Sequence, residues 1–146
     1  MKTKILIAVI LILAWMAWAS PANATIPQPL TINADLYLTG PNSASGSFDA
    51  SGLFTDSGMA SEEFFTAGNT IHGVKTLTSA FGTITIDFQA MLTWTGPTTG
   101  LAQGRFVILA GTGVYENLHG VGETYAELDL INSHLVATYT GVAHFD

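Results

Sequence analysis

The chain contains no cysteine, and beyond residue 24 it carries only two basic side chains, Lys75 and Arg105. Without cysteine there is no disulfide framework and no thiol nucleophile, so stability has to come from apolar burial and closed backbone hydrogen bonding. Eleven carboxylates against those two cations give the stretch after residue 24 a net charge of −9. Such a surface repels nucleic acid and anionic lipid. Sustained helical stripes are also missing there, and period-two alternation takes their place.

The first 24 residues are different in kind. Lys2 and Lys4 precede an apolar run from Ile5 to Ala19, and "SPANA" follows, with Ala22 and Ala24 in a small-x-small arrangement. This is the pattern of a secretory signal peptide cut after Ala24. The apolar run is shorter than the roughly 20 residues a membrane-spanning helix needs, and Pro21 interrupts it before a polar start. The expected organisation is a signal-peptide helix over residues 1–24 and one domain over residues 25–146. The mature domain is then secreted, has no membrane contact after cleavage, and at 122 residues is long enough to fold alone.

In "TITIDFQAML", Ile84, Ile86, Phe88, Ala90 and Leu92 share one face, and Thr83, Thr85, Asp87 and Gln89 share the other. That is a half-buried strand. Comparable runs fall at roughly 31–38, 44–54, 58–68, 70–78, 82–94, 102–111, 119–130 and 134–145. Turn signals such as Pro41-Asn42, Gly68-Asn69, Gly96-Pro97 and Asn132-Ser133 separate them. Eight strands joined by short turns, with no helix to cover a face, predict an all-β, eight-stranded antiparallel up-and-down β-barrel. A two-sheet sandwich is the rival. A barrel of this size is filled by side chains or holds one small ligand.

The glycine cluster in "GRFVILAGTGVYENLHGVG" (residues 104–122) is a corner rather than a phosphate cradle. It lacks the Gly-x-Gly-x-x-Gly spacing and the Lys-Ser/Thr of a P-loop, no helix pattern follows, and Glu116 would face the anion. Gly111 and Gly113 are expected to turn the chain with positive φ, Tyr115 and Leu118 to plug the barrel's end, and Gly120 to restart the next strand.

A strand ending in Gly-Thr-Gly that leads to an aromatic residue and a further glycine resembles the motif of the allene oxide cyclase and dirigent barrels. The likeness covers Gly104 to Gly122 well and the eight-strand layout loosely, and "ATYTGVAHFD" at the end is similar to secreted bacterial proteins of that barrel type. The resemblance implies a small antiparallel barrel with an apolar cavity, often oligomeric. In some relatives it implies cyclisation or stereochemical guidance of a small apolar substrate. Gly111, Gly113 and Gly120 match its fold glycines and Tyr115 its aromatic slot. Its catalytic carboxylates have no counterpart here, so the catalytic set is unknown.

Alternation also sorts side chains by face. Ile32, Ala34, Leu36 and Leu38 are expected inward on the first strand; Thr124, Ala126, Leu128 and Leu130 on the seventh; Leu135, Ala137, Tyr139, Ala143 and Phe145 on the eighth. Three strands resist the sorting. In "SEEFFTAG" each face carries one Glu and one Phe. In "IHGVKTL" either Lys75 points inward with Ile71 and Leu77, or His72 does with Val74. In "RFVILA" both faces are apolar, and Arg105 shares one with Val107 and Leu109. The inward polar candidates for ligand binding are therefore Glu62 or Glu63, His72 or Lys75, and Arg105, with Tyr139 beside them. A lumenal carboxylate with a Lys or Arg is either a structural pair or a site for a polar group of a ligand.

No other chemistry is legible. His72, His119, His134 and His144 form no metal-ligating pattern, and His134 and His144 are ten residues apart on one strand. There is no Gly-x-Ser-x-Gly elbow and no acidic calcium loop. No metal and no cofactor are expected. Tyr37, Trp94 and Tyr125 are expected outside, near Asp35 and Glu127, where they suit sugar stacking or subunit contacts. The doubly apolar "RFVILA" favours a homo-oligomer. Three functions follow: a binder of a small apolar molecule in the lumen, a cyclase or isomerase that works by enclosing its substrate, and a structural or carbohydrate-binding secreted module.

Overall fold

A computed structural model describes residues 25–146; the expected signal peptide, residues 1–24, lies outside the described residues. Eight antiparallel strands close into one barrel: β1 Gln28–Gly40, β2 Ser43–Gly52, β3 Asp56–Ala67, β4 Thr70–Thr78, β5 Thr83–Trp94, β6 Thr99–Gly111, β7 Leu118–Asp129 and β8 His134–Phe145. Each strand pairs with its sequence neighbours, and β8 returns to β1 from Gln28↔Ala143 to Tyr37↔His134. Closure leaves no open sheet edge, as a long β meander without covering helices requires. The two-sheet sandwich is set aside.

Outer side chains stitch the closing seam. His134 Nε2 lies 2.8 Å from Asp35 Oδ1, Thr138 Oγ1 donates to Asn33 Oδ1 at 3.2 Å, and Asn33 Nδ2 donates onward to Asp49 Oδ2 at 3.0 Å. The chain's end is tied in the same way, with Thr25 Oγ1 donating to Phe145 O at 2.8 Å.

The two ends of the barrel differ. The β2–β3, β4–β5 and β6–β7 connections gather at one end, together with the described chain's first and last residues. A short 3₁₀ turn, Gly113–Tyr115, crosses there and drops Tyr115 into the lumen at 3% exposure. Its ring meets that of Phe54 at 4.9 Å, its hydroxyl donates to Asp56 Oδ2, and Leu118 is buried beside it. This end is plugged. Gly113 supplies the expected positive φ (65°); Gly111 does not, and its role is space, because a Cβ there would lie 2.0 Å from Tyr115 O. Gly120 lies within β7 rather than at its start.

Four tight turns form the other end. At the last of them Asp129 Oδ1 accepts from the backbone of Ile131 and Asn132, which ends β7 at Asp129. Leu130, expected inward, is therefore in the turn and 41% exposed. The remaining inward assignments hold: Ile32, Ala34, Leu36, Thr124, Ala137, Tyr139 and Ala143 are buried, and Leu38, Ala126, Leu128, Leu135 and Phe145 are half-buried.

Candidate functional site

Strands β3 and β4 settle the ambiguous faces. Ala60, Glu62 and Phe64 point inward on β3, as do Ile71, Gly73, Lys75 and Leu77 on β4, and the register sets Glu62 opposite Lys75. Cross-strand partners on one face stand within side-chain reach. Lys75 Nζ lies 2.8 Å from Glu62 Oε2, with side-chain exposures of 0% and 3%. The contact is a close ion pair of poor angular alignment, for Nζ has no well-directed hydrogen-bond acceptor among the described residues. Burial lowers the Lys75 ammonium from its ordinary value, and the Glu62 charge opposes that shift.

Tyr139 reaches the pair from β8. Nζ stands 5.0 Å from its ring centroid, a cation–π contact in a desolvated setting. Phe106 and Phe88 hold that ring by their edges, at 5.3 Å and 83° and at 6.3 Å and 76°. Gly73 makes room for this stack, since a Cβ there would lie 2.4 Å from Phe88 Cζ. The Tyr139 phenol is pushed well above its ordinary value by burial first and by the Glu62 charge second, so it stays protonated.

Above the pair, toward the end formed by the four tight turns, the lumen is not filled. A cavity of about 70 Å³ has Glu62, Thr124 and Tyr139 as its polar lining. Ala90, Ala102, Ala126 and Ala137 supply the room, one small side chain from each of four successive strands. Half-buried Leu38, Leu92, Leu128 and Leu135 stand at the mouth. Lys75 does not line the cavity but is held against Glu62, which does. A space of that size admits water or a small organic group. A drug-sized ligand needs ~300 Å³ or more, so a larger molecule has to displace side chains at the mouth.

The other sequence candidates are outside. Glu63 and His72 project from the barrel's outer wall, where His72 stacks on exposed Phe65 at 5.2 Å and 10°. Arg105 is exposed, opposite Gln89 and Glu123, because Phe106 and Ile108 take the inner positions of β6. Glu62 and Lys75, rather than Glu63 and His72, thus take the inward places that alternation left open, and the inward placing of Arg105 is corrected. Of the six candidates, Glu62, Lys75 and Tyr139 are brought together.

Tyr37, Trp94 and Tyr125 are exposed as expected but stand on β1, β5 and β7, and none is the strand partner of another. They form no shared stacking platform. Two features escaped sequence reasoning. Asp56 and Tyr115, 59 residues apart, join at the plugged end. His119 faces His144 across β7–β8, and both reach Asp146, at 3.1 and 3.3 Å. Among the described residues no three His, Cys, Asp or Glu side chains are placed to hold a metal ion. Comparison of the chain with protein-family models, with curated proteins and with solved structures gives no match.

Proposed function

We propose that the protein is secreted after loss of residues 1–24 and holds a small apolar molecule in the lumen of its barrel. One observation carries this reading: an apolar cavity at the unplugged end has in its lining Glu62, one member of a desolvated ion pair. A buried ion pair costs several kcal/mol of desolvation per charge, and apolar residues of the same volume are often as stable or more so. Its presence beneath a cavity therefore supports a recognition role over a merely structural one. The resemblance to the allene oxide cyclase and dirigent barrels, carried by residues 104–122, supports the same conclusion.

Catalysis of that cyclase or isomerase type is the second reading. It is supported by Tyr139, whose phenol stays protonated, and Glu62, which both line the same cavity. Rate enhancement would come from orienting a reactive substrate rather than from strong acid–base chemistry. Assembly with a second copy is supported by Val107, Val121 and Val142, exposed and in register across β6, β7 and β8.

The test is native mass spectrometry of the chain collected from the medium of its own host. The expected spectrum contains a mature polypeptide starting at Thr25 plus a small organic adduct that is lost on denaturation. A mature chain that carries no adduct, before and after incubation with a lipid extract of the host, overturns the reading.

A further inference from the structure

Resting on the lumenal-binding reading, we infer that the ligand is a slender apolar molecule ending in a hydroxyl group, of the class of primary alcohols. Glu62 is part of the cavity's lining, and Lys75 Nζ lies behind it, 2.8 Å from its Oε2 and out of the cavity's reach. A group seated against Glu62 must donate to it. A hydroxyl does so without adding charge.

Other head groups do less. A carboxylate would bring a second negative charge against Glu62. An ammonium would add an unbalanced charge to a pair that is already neutral, in a site where desolvation is expensive. A carbonyl only accepts, so its oxygen would face the carboxylate with no hydrogen between them. A bare hydrocarbon leaves the pair as it is. Shape narrows the class further. With about 70 Å³ between four alanines, the space takes only the slender head of a chain, whose remainder runs out between the leucines at the mouth.

Six-carbon probes test the inference on the secreted chain, with the alanine methyl resonances of Ala102 and Ala126 as reporters. 1-Hexanol, hexanal, hexanoate, hexylammonium and hexane are titrated separately. The same series is run on Glu62→Leu/Lys75→Met, a double variant that keeps the volume and removes both charges. The expected result is 1-hexanol binding about tenfold or more tighter than any other probe, the range expected for a hydrogen bond to a charged group. That preference should vanish in the double variant while hexane binding persists or strengthens. Equal binding of all the probes, or an alcohol preference that survives in the double variant, overturns the hydroxyl inference and leaves lumenal binding standing. No shift of either methyl with any probe overturns both.

Discussion

Replacing Lys75 by methionine keeps the side chain's length and removes its charge, leaving the Glu62 carboxylate buried without a partner. At 2.8 Å the pair attracts by about 6 kcal/mol at an effective dielectric of 20. Desolvating the two ions costs an amount of the same order, so the intact pair contributes little net stability. Losing one partner keeps much of the cost and forfeits the attraction. Lys75→Met should therefore destabilise the barrel by about 3–5 kcal/mol, the range for breaking buried pairs. For a domain of this size that lowers Tm by roughly 10–20 °C. The double variant Glu62→Leu/Lys75→Met should return to wild-type stability or exceed it by about 1–4 kcal/mol. Urea unfolding of the four chains closes the cycle, and the double variant should be at least 3 kcal/mol, roughly, above the sum of the single losses. A Lys75→Met loss within about 0.5 kcal/mol of zero, the usual effect of a surface change, would refute the placement of the ammonium inside the barrel.

At the plugged end, the Asp56 carboxyl titrates below its ordinary 3.8: burial, the largest influence, pushes upward but is outweighed by hydrogen bonds from Ser79, Tyr115 and the Ser57 backbone. The folded state thus binds that proton less readily than the unfolded chain, so this stabilisation is complete above the ordinary value and disappears as pH falls through the lowered one. Tyr115→Phe should cost about 1–3 kcal/mol at pH 7 and move the acid-unfolding midpoint upward, read by circular dichroism; coincident acid curves would contradict the latch. The partner phenol, raised to about 12 by burial and then by Asp56, should stay protonated through the physiological range in a spectrophotometric titration. Gly68 and Gly113 share a left-handed φ (62° and 65°), but a Cβ at Gly68 meets nothing, whereas one at Gly113 falls 2.2 Å from Phe81 O. Gly68→Ala should cost about 1–2 kcal/mol and Gly113→Ala clearly more; equal losses in chemical denaturation would contradict the tight crossing. Ala102→Phe should fill the cavity, abolish hexanol binding and cost about 1–3 kcal/mol; undiminished binding would place the site elsewhere.

Much of the barrel was legible because alternation is strong where one face is fully apolar, as on β5 and β8. The eight strand positions and most inward residues of β1, β7 and β8 follow from period two alone. β3 shows where that reasoning stops. Met59 and Phe65 lie outside at 62% and 57% exposure, while Glu62 is inside beside Phe64. Apolar content favours the opposite face; register with β2 and β4 decides, setting small Gly58 and Ala60 beside Phe48 and Leu77. On β4 the pairing of Lys75 with Ile71 and Leu77 was one of two readings, and together those two buy more apolar burial than Val74 alone. Arg105 was ambiguous because its strand is apolar on both faces. Asp56 and Tyr115 are joined by the 3₁₀ turn crossing the barrel's end, and His119 and His144 by the register of β7 with β8, which no local pattern carries. Leu130 was misplaced for a local reason, the Asp129 side chain ending the strand one residue earlier.

A crystal structure of the chain, purified from its host without denaturation, is the decisive experiment. Lys75 and Glu62 should be in contact within the lumen, with continuous non-protein density above Glu62 that runs past Tyr139 toward the leucines at the mouth. A lumen closed by Phe64 or Leu92, or holding only water against Glu62, would contradict lumenal binding.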